Sequence, residues 1–265
     1  MAYFPQNKTI AVGDTVIDYA VFGHGKKNLV LLPGLSIRSV KGTALMLAAM
    51  YRVFSKDYTV YVFDKKRVVL DGYNIWDIAD DTATAMQKLG INSASIMGVS
   101  QGGMVAQALA IRYPDFVEKL VLCVTACEPN PTMEDVVGTW IDLAQKDDWK
   151  TFNCLTFEKM YSKAYLKRYG AMIPIVAGLS KCSDVPRFVT LAKACLAFDG
   201  SAELSKISCP TFVIGAKNDL VLTGEASEKI AQILSCELYL YEDYSHGVYD
   251  EAGDFNQRVL AFLKK

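Results

Sequence analysis

The sequence has little of what marks a membrane-spanning or nucleic-acid-binding protein. None of its apolar runs approaches the 18 or so residues that cross a bilayer. The first six residues contain neither a basic region nor a long apolar one, so we expect no leader segment. The formal net charge is −1, and acidic and basic residues are interspersed. These absences argue against a nucleic-acid or membrane partner.

Histidine is scarce, and cysteine occurs without the spacing of a metal site. The chain has two histidines and seven cysteines, and none of the cysteines form a Cys-x-x-Cys motif. The cysteine number is odd, and most cysteines lie in apolar segments, which is typical of reduced, buried thiols. We therefore expect a cytoplasmic protein without a bound metal or a disulfide framework.

Apolar runs and helical patterns alternate along most of the 265 residues. Three strands are predicted at the start, and then strands alternate with amphipathic helices. Such alternation favours right-handed crossovers and a mostly parallel sheet covered by helices on both faces, with the opening hairpin as an antiparallel edge. Predicted strands cover 9–12, 16–22, 29–32, 60–63, 93–97, 119–124, 211–214 and 237–241, and predicted helices cover 43–51, 75–89, 101–112, 225–234 and 252–263.

One segment interrupts this alternation. Residues 129–204 contain helical stretches broken by glycine and proline but no convincing strand. We interpret this segment as a helical cap inserted over the carboxyl edge of the sheet. The core domain would then comprise residues 1–128 and 205–265.

The stretch Gly98-Val99-Ser100-Gln101-Gly102 has the pattern of a nucleophile elbow. An apolar run precedes it and a helical pattern follows it. In such a strand–turn–helix, the serine oxygen stands clear of the sheet, and the flanking glycines remove side chains that would clash. Ser100 is therefore the candidate nucleophile.

Two loops at later strand ends supply a candidate base and a candidate acid. His246 follows the strand 237–241, and Asp219 follows the strand 211–214. Loops at the carboxyl ends of parallel strands converge, so both side chains can lie near Ser100. The order Ser100…Asp219…His246 fits the elbow motif. Glu128 is a second candidate acid.

An oxyanion hole needs two N–H donors beside the nucleophile. The N–H of Gln101 lies at a helix start directly after Ser100, and the loop after the strand 29–32 can supply the second donor. Within that loop, Pro33-Gly34-Leu35-Ser36, we assign the role to the N–H of Leu35.

Together these residues resemble the α/β-hydrolase superfamily over nearly the whole chain. The resemblance is carried by Leu31-Leu32-Pro33-Gly34, by the elbow at 98–103, and by Asp219 and His246. It implies an eight-stranded sheet, a cap after the sixth strand, and acyl-enzyme chemistry on a serine.

The sequence departs from that family at two places. Many members have His-Gly where this chain has Pro33-Gly34, so the hydrogen bonding behind the site must differ. The glycine-rich turn after the fourth strand is replaced by a segment containing Lys65-Lys66-Arg67. We interpret this basic cluster as a solvated loop, and contact with an anionic substrate group is the alternative.

Several residues are candidates for substrate binding. Ser36 and Arg38 follow the oxyanion loop, and the cap is rich in aromatic residues. Such residues could line an acyl pocket or form the core of the cap itself. The candidates are Ser36, Arg38, Trp140, Phe157 and Tyr161.

The sequence therefore predicts a serine hydrolase of a small carboxylic ester, thioester or amide-like substrate, acting through an acyl-enzyme on Ser100 without metal or cofactor. Other chemistries share this apparatus: a C–C bond hydrolase, an aminopeptidase similar to proline iminopeptidase, a cofactor-free perhydrolase or haloperoxidase, and a lyase. A non-catalytic small-molecule receptor is the alternative from another class. The partner would be a small acyl substrate, and the chain would be a monomer or a homodimer.

Overall fold

The computed structural model describes residues 4–265, which contain a single eight-stranded sheet. Its strands lie in the order β1-β2-β4-β3-β5-β6-β7-β8. Strand β2 is antiparallel to both β1 and β4, and all other pairings are parallel. The strands are β1 (Gln6–Val12), β2 (Thr15–Gly23), β3 (Lys27–Leu32), β4 (Tyr58–Lys66), β5 (Ala94–Val99), β6 (Val117–Cys123), β7 (Thr211–Ala216) and β8 (Glu237–Tyr241).

Burial follows the position of each strand in the sheet. Every residue of β5 and β7 is buried, as expected for parallel strands covered on both faces. Strand β1 lies at one edge and exposes most of its residues, and β8 at the other edge is half exposed. The mostly parallel sheet predicted from the sequence is confirmed.

Helices cover both faces of the sheet and enclose two apolar clusters. The helices that cover the sheet are α1 (Ala44–Met50), α2 (Ile75–Lys88), α3 (Gln101–Arg112), α9 (Gly224–Leu234), α10 (Val248–Glu251) and α11 (Phe255–Lys264). One cluster contains buried residues of α2, α3 and α9, and the other contains buried residues of α1, α10 and α11.

Five helices lie between β6 and β7, and we call residues 131–196 the helical insertion. They are α4 (Pro131–Gln145), α5 (Trp149–Met160), α6 (Lys163–Tyr169), α7 (Ile173–Ala177) and α8 (Val185–Leu196). The side chains of Asn130, Asp148, Ser162 and Asp184 cap α4, α5, α6 and α8, each accepting a backbone N–H of the first turn. The division of the chain into core and cap domains stays a prediction.

Two local predictions need correction. The helix predicted for 252–263 corresponds to α11, which begins at Phe255, and the short helix α10 before it was not predicted. The basic segment after the fourth strand is not a solvated loop, because β4 continues to Lys66 and pairs with β2.

Candidate active site

Ser100 stands at the turn between β5 and α3 in a backbone conformation that few non-glycine residues adopt. Its φ is 53° and its ψ is −120°. The flanking glycines are required sterically: a Cβ on Gly102 would lie 1.8 Å from Leu32 O, and one on Gly98 would lie 2.2 Å from Gly102 O. The close approach of α3 to the ends of β3 and β5 therefore produces the turn that displays Ser100.

Hydrogen bonds hold the backbone of this turn. The Ser100 N–H donates to Cys123 O at 2.9 Å, and the Ser100 carbonyl accepts from Thr125 Oγ1 at 2.8 Å. The Gly103 N–H donates to the same carbonyl at 2.8 Å. Strained backbone persists only where its surroundings fix it, and these bonds to β6 and α3 do so.

Asp219 and His246 form a buried pair at the carboxyl ends of β7 and β8. His246 Nδ1 lies 2.8 Å from Asp219 Oδ2. The other oxygen, Oδ1, accepts the N–H groups of Val221 at 2.7 Å and Leu222 at 2.9 Å. An ionised carboxylate only accepts hydrogen bonds, so Oδ2 accepts one from Nδ1–H, and in this tautomer Nε2 carries no proton.

The loop carrying His246 is attached on both sides to the end of α5. The Ser245 hydroxyl donates to Lys159 O at 2.6 Å, and the Gly247 N–H donates to Met160 O at 2.6 Å. The backbone on either side of His246 is thus fixed to the helical insertion.

The second candidate acid does not reach the histidine. Glu128 forms an ion pair with Lys229 at the surface. Asp243, which precedes His246 by three residues, is exposed. Asp219 is the only carboxylate of residues 4–265 in hydrogen-bond contact with His246.

Two backbone N–H groups beside Ser100 make no hydrogen bond to any residue in the described range 4–265. They belong to Leu35 and Gln101, the two donors assigned from the sequence. The loop lies against the elbow, since a Cβ on Gly34 would be 3.3 Å from Ser100 Cβ. The N–H of Gln101 is unpaired because the first turn of a helix has no intrahelical acceptors for its N–H groups, and donors placed beside a nucleophile can bind an oxyanion.

The side chain of Gln101 points away from the cavity and contacts α8. Its Nε2 donates to Leu191 O at 2.7 Å and to Cys195 Sγ at 3.0 Å. The elbow and the helical insertion are joined through this amide.

Lys65 is buried behind the oxyanion loop and is 7% exposed. Its Nζ donates to Pro33 O and to Gly34 O, both at 2.7 Å. The Gly34 carbonyl and the Leu35 N–H belong to one planar trans peptide and point in opposite directions. By holding that carbonyl, Lys65 sets the direction of the Leu35 N–H. This role of Lys65 was not predicted from the sequence.

The other two basic residues of the cluster are also paired, but the expectation of a solvated cluster is wrong only for Lys65 and Lys66, since Arg67 stays exposed. Lys66 Nζ lies 2.9 Å from Asp81 Oδ1. The Arg67 guanidinium makes two bonds of 2.7 Å to the carboxylate of Asp18. All three cations of the segment stabilise contacts within the protein.

Ser100 and His246 line one cavity of about 170 Å³ between the sheet edge and the helical insertion. No hydrogen bond joins Ser100 Oγ to the ring in the structure of residues 4–265. Catalytic hydrogen bonds often tighten only around a bound substrate. The core contributes Gly34, Leu35, Ser36, Ile37, Ser100, His246 and Tyr249, and the insertion contributes Trp140, Phe152, Asn153, Thr156, Met160 and Phe188.

The residues predicted to bind substrate fall into two groups. Ser36 and Trp140 line the cavity. Arg38, Phe157 and Tyr161 are not among its lining residues: Arg38 donates to Ser180 Oγ at 2.5 Å, and the rings of Phe157 and Tyr161 stack on each other with centroids 5.6 Å apart. Asn153 and Thr156, which the sequence analysis did not single out, do line it.

The cysteines and acidic residues form no metal site within residues 4–265. All seven cysteines are free, and burial raises the pKa of Cys195 to about 12. No group of three or more histidine, cysteine or acidic side chains in that range could hold a metal ion. None of the described helices has the length and apolar character needed to span a bilayer.

Comparison with known proteins supports the family. Residues 29–153 match the family model described as the alpha/beta hydrolase fold. The enol-lactonase of Burkholderia xenovorans LB400 superposes with a TM-score of 0.83 at 22% identity, covering 97% of this chain and 100% of that one. MGS-M2, an alpha/beta hydrolase from a deep-sea metagenome library, gives a TM-score of 0.85 at 20% identity, covering 97% and 98%. The chain therefore has the α/β-hydrolase fold.

Curated relatives extend the similarity along most of the chain. One of them is RutD of Rhizobium rhizogenes, whose name proposes a carbamate hydrolase. It is 24% identical to this chain over 248 residues, which are 90% of this chain and 93% of RutD. Its namesake from Caulobacter segnis is 25% identical over 251 residues, or 91% and 92%. The comparisons support a hydrolase of small substrates.

Proposed function

We propose that this chain is a serine hydrolase that cleaves a small ester, thioester or amide-like substrate through an acyl-enzyme on Ser100. One observation carries the proposal. His246, buried and hydrogen-bonded to Asp219, lines the same cavity as a serine held at φ 53°. A structural histidine would not require a strained serine and two unpaired N–H donors beside it.

In this proposal His246 is the base and Asp219 orients it. Ser100 Oγ attacks the carbonyl carbon while Nε2 takes the hydroxyl proton. The imidazolium that forms is stabilised by Asp219 Oδ2, which accepts the Nδ1 proton in a hydrogen bond. Because Asp219 Oδ1 is occupied by two backbone N–H groups, the carboxylate cannot rotate away from the ring.

The negative oxygen of the tetrahedral intermediate would accept the N–H groups of Leu35 and Gln101. Lys65 keeps the first donor in place, and the start of α3 presents the second with the favourable end of its dipole. His246 then donates its proton to the leaving group. A water activated by the same nitrogen releases the acyl group from Ser100.

The cavity has room for a small acyl group. Its volume of about 170 Å³ is similar to that of a protein cavity that binds benzene. Similar proteins agree with a small substrate, since one solved neighbour is an enol-lactonase and another, Est816, degrades N-acyl homoserine lactones. Lactones are cyclic esters, and a carbamate offers the same carbonyl carbon to a serine.

Intact-mass analysis after incubation with a fluorophosphonate tests this proposal. The wild-type protein should gain one phosphonyl group, and both Ser100→Ala and His246→Ala should stay unlabelled. Ser95→Ala is the matched control, because Ser95 is buried in β5 outside the cavity and its loss should leave labelling intact. A well-folded wild-type protein that gains no mass would contradict the proposal and favour the non-catalytic receptor.

A further inference from the structure

The inner wall of α5 presents polar atoms to the cavity that the proposed chemistry does not use. Asn153 is 7% exposed and lines the cavity. Its Nδ2 donates to Ala177 O and to Ser180 O, both at 2.8 Å. Both amide protons are therefore used within the helical insertion.

These two contacts determine which way the amide faces. A flipped amide would place Oδ1 against two carbonyl oxygens, which cannot donate, so only the NH₂ group can face them. Oδ1 accepts no hydrogen bond from any residue in the range 4–265. Three side-chain polar atoms of that range are fully buried without a hydrogen-bond partner, namely Gln101 Oε1, Gln107 Oε1 and Asn256 Oδ1. Asn153 Oδ1 is not one of them, so it is accessible. The unpaired oxygen of Asn153 therefore opens to the cavity.

A second acceptor lies one turn further along the same wall. Thr156 also lines the cavity, and residues three apart on a helix share one face. Its hydroxyl donates to Phe152 O at 2.8 Å. With that proton used, Thr156 Oγ1 can only accept a further hydrogen bond.

We propose that Asn153 and Thr156 form a specificity subsite that binds an N–H or O–H donor on the acyl part of the substrate. This inference rests on the proposed function and adds the substrate class: hydroxyacyl, carbamoyl or amide-bearing compounds, in preference to plain alkanoyl groups. Against an alkyl chain, Asn153 Oδ1 and Thr156 Oγ1 would lose water without gaining a hydrogen bond. A substrate N–H or O–H group would instead donate a hydrogen bond to them.

Matched p-nitrophenyl esters test the subsite. Glycolate is compared with propanoate, and 3-hydroxypropanoate with butanoate, so that each pair exchanges a hydroxyl for a methyl group. Each kcat/KM is divided by the hydroxide-catalysed rate of the same ester. We expect the wild-type protein to prefer the hydroxyl member of at least one pair by about fivefold or more.

Variants assign that preference to the wall. Thr156→Val and Asn153→Leu should each reduce the hydroxyl-to-methyl ratio, whereas Thr156→Ser, which keeps the oxygen, should retain it. Asn153→Leu also releases the 177–180 loop. Ser180→Ala is therefore the control, since it breaks the Arg38–Ser180 bond and keeps the amide. General damage to the insertion lowers both rates and leaves the ratio unchanged.

A ratio near one for both pairs in the wild-type protein overturns the subsite while leaving the hydrolase intact. If neither ester pair is cleaved, the proposed function fails instead, and binding tests the subsite separately. The Ser100→Ala variant is titrated with methyl 3-hydroxypropanoate and methyl butanoate, with the fluorescence of Trp140 in the cavity wall as readout. Equal affinities overturn the subsite, and tighter binding of the hydroxy ester supports it.

Discussion

Two parts of the molecule meet at the cavity, and they are held in place by different means. At the sheet edge, close backbone packing shapes the elbow, which needs glycines at positions where any Cβ would lie within 2.3 Å of a carbonyl oxygen. The cavity wall of the helical insertion depends more on side-chain hydrogen bonds: Asn153 holds the 177–180 loop, and Ser245 of the core holds the end of α5. Substitutions at the edge should therefore affect rate, and substitutions in the insertion should affect selectivity and local order.

The largest effect is expected at the buried acid. Asp219→Asn keeps the shape of the side chain but lets His246 adopt the wrong tautomer, so kcat should fall by about 10³- to 10⁴-fold. Steady-state kinetics with the best ester gives the value. A Glu128→Gln variant should keep wild-type activity, since Glu128 pairs with Lys229 instead. The reverse ranking of these two variants would contradict the assignment of the acid.

A pair of glycine substitutions compares the two parts directly. Gly102→Ala places a methyl group 1.8 Å from Leu32 O, so the oxyanion loop must shift and kcat should fall by about 10²-fold. Gly138→Ala in α4 meets nothing within 4 Å and should raise the free energy of unfolding by about 0.5–1 kcal/mol. Kinetics and urea unfolding of both variants measure this contrast. Equal effects at the two sites would remove the distinction between the two parts.

Lys65 gives a prediction with a defined dependence on pH. Burial lowers the pKa of its ammonium to about 8. Between that value and the ordinary pKa near 10.5, the unfolded chain binds more protons at this site than the folded chain. The free energy of unfolding of wild type relative to Lys65→Met should therefore rise with pH across this window, by at most about 3 kcal/mol. Urea unfolding of both proteins at pH 7.5 and pH 10 is the measurement, and a constant difference between them would contradict it.

A modest effect is expected where the insertion meets α10. Glu251 accepts the N–H and the hydroxyl of Ser162, which caps α6. Glu251→Gln replaces charged acceptors with a neutral amide and should weaken this contact by about 1 kcal/mol. Hydrogen exchange of α6 should become faster while that of β5 is unchanged. Faster exchange in β5 as well would show that the insertion and the sheet unfold together.

The sequence predicted the sheet edge better than it predicted the insertion. The elbow and the strand–helix alternation are local patterns, because period, glycine placement and burial all act within a few residues. The bounds of α3 and β8 match the prediction.

Lys65 was missed because its burial depends on long-range pairing. A lysine after an apolar strand is ordinarily solvated, but the pairing of β4 with β2 and β3 carries Lys65 beneath the oxyanion loop. One local signal existed: the period-two alternation after Phe63 places Lys65 on the buried side of β4. The alternation does not reveal which groups Lys65 contacts, because the positions of the Pro33 and Gly34 carbonyls are set by the fold.

The residues of the substrate wall were missed for a different reason. Asn153 and Thr156 lie among ordinary polar positions of α5, and nothing in their spacing distinguishes a cavity wall from a solvent face. Large aromatic residues were predicted to bind substrate instead, but Phe157 and Tyr161 stack on each other and do not line the cavity. Which face of a helix meets a cavity is decided by how helices from distant parts of the chain cross.

The attachment of α5 to the loop that carries His246 constrains how the substrate preference of this protein could change over evolution. The inner face of α5 forms the cavity wall, while its last two carbonyls hold the backbone on either side of His246. Side-chain substitutions on the inner face alter what the wall accepts without touching those carbonyls. Insertions or deletions within α5 would rotate or shift these two carbonyls, and His246 would move with them. New specificities can therefore arise in this helix by point substitution but not by a change in its length.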